Sequence, residues 1–241
     1  MSTTTTRVFK MISLLVGACI AVSALAADPF TDAMQEAYAP YRVALFQTNS
    51  KLQPESQRAV QQAQQAWSGV MAKFSANPPA PYDRDTSFVK SLDQVAKVYS
   101  LAAEQVAGNQ LNIAHETLEA ARDIMAELRR RNQIVVFSDH MNAYHAEMER
   151  VLIDGPKVLP QPNGVRQLTE MLGVLDYLAT RLAKEASVKL AKDDEFAGLV
   201  KAIAQSIVDL RAALLTQDAA RISAAIGKIK QPYSKLFIKF G

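Results

Sequence analysis

Between Phe137 and Val151 the apolar residues Phe137, Met141, Tyr144, Met148 and Val151 recur in alternating steps of four and three. That spacing fits a 3.6-residue period and puts all five side chains on one stripe, so the segment buries them together only as an amphipathic α-helix. A strand would send every second side chain to the opposite face and split the set. The preceding segment carries a similar stripe at Leu111, Ala114, Leu118, Met125 and Leu128. With only 9 glycines among 241 residues, little interrupts this periodicity elsewhere.

The spacing predicts an all-α helical bundle, with helices at about 30–50, 55–75, 85–106, 109–131, 137–153, 164–190, 194–215 and 217–239. Asn109 and Asp218 are expected as N-caps, because their short side chains can accept from free backbone amides. The prolines of ANPPAPYD (Ala76 to Asp83) and DGPKVLPQPNG (Asp154 to Gly164) lack the amide hydrogen that a helix interior uses, so both stretches are expected as loops. Trp67, Tyr38, Tyr41 and Tyr99 fall at helical spacing and are expected in the core. Near the C-terminus, Tyr233, Leu236, Phe237 and Phe240 form a last stripe that docks on the bundle.

The helices also repeat. Phe30-Thr31-Asp32-Ala33-Met34 resembles Phe137-Ser138-Asp139-His140-Met141, Phe88 pairs with Phe196, and Gly108-Asn109 pairs with Gln217-Asp218, all at an offset of roughly 107–109 residues. The pattern is that of a tandem duplication of a four-helix up-down unit, with one copy at 27–132 and the other at 133–241, whether as two domains or fused as one. Under that alignment Ala33 and Tyr38 stand where the second copy has His140 and His145. The histidines then belong to one copy and not to the scaffold.

Ahead of the first unit, Arg7 and Lys10 precede an uncharged apolar run that ends at Ala24-Leu25-Ala26, the three-part pattern of a cleavable signal peptide over residues 1–26. The expectation is a soluble periplasmic protein with no membrane span. Cys19 is the chain's only cysteine, and lipoprotein anchoring there is disfavoured because cleavage after Ala26 leaves a more normal apolar length. Cleavage after Ala26 removes Cys19, and with it disulfides, thiolate nucleophiles, zinc–thiolate sites and covalently held haem. Lys and Arg total 27 against 24 Asp and Glu, and two of the basic residues lie in the leader. So balanced a chain has no electrostatic basis for gripping nucleic acid.

All three histidines, His115, His140 and His145, lie between Ala114 and Arg150. His115 and Glu119 stand four residues apart, as do His145 and Glu149, so each imidazole shares a helix face with a carboxylate. If the chain reverses near Asn132-Gln133, His115 comes opposite Glu149 and Glu119 opposite His145. Two imidazoles and two carboxylates then converge as ligands for iron, copper, zinc or manganese in a metal-handling role. A reversal nearer Val135 shifts the helices and spoils this convergence. Glu116, His140, Met141 and Met148 are further candidate ligands, the thioethers being suited to copper(I).

Two alternatives stand beside this one. A histidine and a methionine on neighbouring helices could clamp a non-covalent haem b, as in an electron carrier. Or the protein is a metal-free structural or interaction module with a periplasmic protein partner, in which Arg122 neutralises Glu119. The chain lacks a phosphate-cradling glycine loop, a G-x-S-x-G elbow and H-E-x-x-H, so the sequence gives no sign of an enzyme.

Overall fold

Local chemistry at the start of the first helix shows how the boundaries arise. In the computed structural model, which describes residues 28–241, α1 (Pro29–Asn49) begins at Asp28, whose carboxylate accepts the Thr31 amide at 2.7 Å. Pro29 takes the first helical position, where an amide has no partner to lose. The expected signal peptide, residues 1–26 with Cys19, lies outside the described residues.

α2 (Gln53–Phe74) returns along α1, α3 (Phe88–Ala107) packs on α2, and α4 (Leu111–Arg131) packs on both α3 and α1. Then follow α5 (Phe137–Val158), α6 (Gly164–Lys184), the single turn α7 (Val188–Ala191), α8 (Asp194–Thr216), α9 (Ala219–Lys228) and α10 (Lys230–Phe240). α6 packs on α5 and α8, while α9 and α10 run back along α8 to meet α5. The fold is an all-α bundle with no strand among the described residues. None of these helices is long and apolar enough to cross a membrane.

Buried apolar side chains fall into two groups. One, from Phe30 to Leu128, is built by α1 to α4 around Trp67, Tyr38, Tyr41 and Tyr99; the other, from Met141 to Leu236, is built by the later helices. Phe237 of α10 packs against both, which places it on the seam. Of the landmarks of the expected repeat, the phenylalanines have comparable surroundings and the helix ends are offset by one residue. Phe30 meets Phe88 edge-on at 4.8 Å between ring centroids, and Phe137 meets Phe196 edge-on at 5.6 Å. Asn109 and Gln217 follow α3 and α8 in the left-handed region, at φ 57 and 56, one residue out of the expected pairing of Asn109 with Asp218.

Four expectations are corrected. α5 continues through Pro156 to Val158: the ring removes one amide donor, but Leu159 still donates to the Gly155 carbonyl at 2.9 Å, so the last turn holds. The predicted helix at 164–190 stops at Lys184 and restarts at α7, where the Ser187 hydroxyl accepts the Leu190 amide. The predicted helix at 217–239 breaks at Ile229, because the Pro232 ring opposes the carbonyl four residues back, at Lys228. Asp218 is an N-cap as expected, but Asn109 closes α3 instead of opening α4. Its own amide bonds Val106, and the following Gln110 amide bonds Gln105.

Candidate functional site

Which side chains of α4 and α5 meet depends on the turn between them. α4 ends with Gln133 at φ 60, its amide on the Arg130 carbonyl at 3.1 Å and the Ile134 amide on the Arg129 carbonyl at 3.0 Å, a Schellman closure without glycine. Arg129 is wholly buried, and its Nε donates to Asp139 Oδ2 at 3.0 Å while Nη2 pairs with Oδ1. Oδ2 also accepts the Val136 amide at 3.0 Å, which anchors the first turn of α5. With α4 ending at Arg131 and α5 starting at Phe137, the reversal centres near Ile134, slightly past the expected Asn132-Gln133.

This offset changes the pairing. His145 faces Arg122, whose Nη1 lies 3.2 Å from Nδ1, and Glu149 comes up to Glu119. Ligand atoms of Glu119, His145 and Glu149 all lie within 4.8 Å of one another. His115 sits one turn farther from the hinge, outside that trio, and touches it through Glu119, with Nε2 3.9 Å from Oε1.

The hydrogen bonds fix the proton on each ring. His115 Nδ1–H donates to the Leu45 carbonyl of α1 at 3.1 Å, since a carbonyl only accepts, and Nε2 is left as a lone pair facing Glu119. A backbone carbonyl behind a ring nitrogen is the usual way to aim the other nitrogen at a metal. His145 has the opposite tautomer. Guanidinium only donates, so Nδ1 accepts from Arg122 and Nε2–H points to Glu149 Oε1 at 3.3 Å. Burial pushes the His115 pKa below its ordinary value, against the pull of Glu119 and the Leu45 carbonyl, and so favours the neutral, ligand-competent ring. Glu149 is held below the usual carboxylate range by the His145 hydrogen bond, which outweighs its partial burial.

Above the trio, α1, α4, α5 and α10 enclose a pocket of about 60 Å³. Leu45 and Phe46 line it from α1, and Lys230, Tyr233 and Phe237 line it from α10. Tyr233 stacks on the His145 ring, with centroids 5.2 Å apart and planes inclined by 22°. Arg122 Nη1 is also 3.5 Å from Glu119 Oε1, so one cation holds both a carboxylate and an imidazole. Two glutamates are thus balanced by Arg122 and Lys230. The half-buried side chains remain within reach of water.

The other candidate ligands lie elsewhere. Glu116 is exposed, Met141 and Met148 are wholly buried in the second core, and His140 points to Glu185 at 3.9 Å on the α6 side. Sequence reasoning missed Lys230 and Tyr233, although Pro232 marks the break that turns α10 into the seam. It also missed Arg129, which gave a signal: a basic residue four positions after Met125, on the apolar stripe of α4. Comparison with known protein families, curated proteins and solved structures found no match.

Proposed function

We propose that the chain is an exported periplasmic protein that binds one divalent transition-metal ion through Glu119, His145 and Glu149, with His115 beside Glu119 and outside the ligand set, and that it serves in metal handling. The observation that carries this is the approach of three ligand atoms from two helices to within 4.8 Å, in a pocket open to small solutes. Both methionines lie in the core, so the ligands are nitrogen and oxygen, which suits zinc, iron(II), manganese(II) or copper(II) better than copper(I). A haem b has no support from a pocket of about 60 Å³, against the roughly 300–1,000 Å³ of sites for larger organic ligands. The tandem origin of the units 27–132 and 133–241 belongs to the same proposal, with the site at their seam.

A second function is favoured by Arg122. Its guanidinium already satisfies Glu119 and His145 Nδ1, as it would in a metal-free module that uses this seam for structure or for holding a protein partner. Metal binding requires Arg122 to release Nδ1, either to free that nitrogen for the ion or to let the His145 proton move there from Nε2. Thermal unfolding with added zinc and with chelator separates the two. A bound ion raises Tm in proportion to RT ln(1 + [L]/Kd), and His145→Ala abolishes the rise. Equal Tm under both conditions removes the metal function and leaves the metal-free one.

A further inference from the structure

The charge balance of the pocket changes when a metal arrives. Without it, Glu119 and Glu149 offset Arg122 and Lys230 within the pocket, while the Arg122 Nε also donates to the exposed Asp123 at 3.0 Å. A divalent ion takes over both carboxylates and adds two positive charges to a half-buried space, where unbalanced charge is costly. Arg122 then loses the Glu119 oxygen and the His145 nitrogen it now holds. Lys230 forms no ion pair among the described residues, although it faces the same pocket. Three protein ligands also leave coordination positions open on the ion.

Resting on the metal function proposed above, we infer that the site binds its metal together with a small carboxylate, whose oxygens bridge the ion to Arg122 and Lys230. The guanidinium fork matches a carboxylate in two parallel hydrogen bonds, and the ammonium adds a point charge. Leu45, Phe46 and Phe237 give the rest of the pocket apolar walls, suited to a short hydrocarbon stub and not to a fully polar ion such as phosphate. The pocket of about 60 Å³ holds an anion of a few heavy atoms. The anion cancels one of the two positive charges that the metal adds, so each ligand strengthens the binding of the other, and linkage makes the two enhancements equal.

The test uses the full chain and cobalt(II), whose visible spectrum reports its coordination. Cobalt is titrated alone and in the presence of acetate, with inorganic phosphate as a second arm. The expected result is a spectrum altered by acetate and cobalt affinity raised about 5- to 100-fold, with acetate affinity measured by NMR rising by the same factor when cobalt is present. Phosphate gives a smaller factor, and Lys230→Gln brings the acetate factor close to one. If cobalt binds but acetate changes neither spectrum nor affinity, the co-ligand is overturned while the metal site stands. A phosphate factor as large as that of acetate overturns the carboxylate assignment, and an undiminished acetate factor in Lys230→Gln overturns the role of Lys230. Absence of cobalt binding overturns both the co-ligand and the metal function.

Discussion

Replacing Asp139 by alanine tests how the site is held in register. In the folded protein Arg129 is wholly buried, and its Nε and Nη2 both depend on the Asp139 carboxylate; the remaining neighbour is Met34 Sδ, 3.7 Å from Nη1 and a weak acceptor. Breaking a buried pair from one side costs about 3–5 kcal/mol, because the surviving charge loses its compensation in a poorly solvated place. Asp139 is itself 22% exposed, so some water can reach the gap, which puts the cost near the lower end, at about 3 kcal/mol. Loss of the acceptor for the Val136 amide adds about 0.5–1 kcal/mol. Urea unfolding, followed by Trp67 fluorescence and by far-ultraviolet circular dichroism, should therefore show a loss of about 3–4 kcal/mol. The double variant Arg129→Met with Asp139→Ala should recover most of it, since an apolar side chain of similar size can replace a buried ion pair at little cost. A loss below about 1 kcal/mol, or no recovery in the double variant, would refute the assigned role. Asp139→Ala should also weaken metal binding, although Asp139 is no ligand, because the pair sets which residues of α4 and α5 face each other.

Other outcomes follow from the same geometry. His115 has a folded pKa below 6.5, so the unfolded chain takes up its proton first on acidification. Its stabilising contribution is complete above that value and is lost as pH falls towards the lowered folded pKa; Glu149, lowered from 4.5, adds a second loss at more acidic pH. Tm should accordingly fall in two stages below neutrality, and His115→Gln should abolish the first; a Tm that rises on acidification contradicts this. Gln133→Gly should stabilise the protein by up to about 1 kcal/mol in urea unfolding, because glycine meets no Cβ penalty at φ 60. By contrast, Glu55→Ala, which removes an exposed pair with Arg58, should change stability by less than about 0.5 kcal/mol.

Helices and cores were legible because burial imposes a period that survives in the order of residues. The stripe from Phe137 to Val151 had to face inward, and its members Met141, Tyr144, Met148 and Val151 are all at most 1% exposed. Turns were less legible. Glycine normally marks left-handed closures, yet Lys51, Asn109, Gln133 and Gln217 take those positions, and no glycine among the described residues has positive φ. At Asn109 the same short polar side chain that suits an N-cap also tolerates the left-handed region, so the sequence allowed both.

The site depended on such a turn. Pairing by distance from an assumed reversal brought the His115 and His145 faces together, but the Arg129–Asp139 pair and the Gln133 closure moved the centre to Ile134 and placed Arg122 against His145. One turn of helix separates a ligand from a bystander, and periodicity alone does not fix it. The contribution of α10 came from tertiary packing, which brings residues more than eighty positions apart, His145 and Tyr233, ring to ring.

The most direct test of the central claim is the metal content of the protein purified from its native host cells, compared with a His145→Ala, Glu149→Gln variant of unchanged helix content. Binding at Glu119, His145 and Glu149 predicts close to one transition-metal ion per chain in the natural protein and almost none in the variant. Metal-free natural protein, or the same metal content in both, would contradict it.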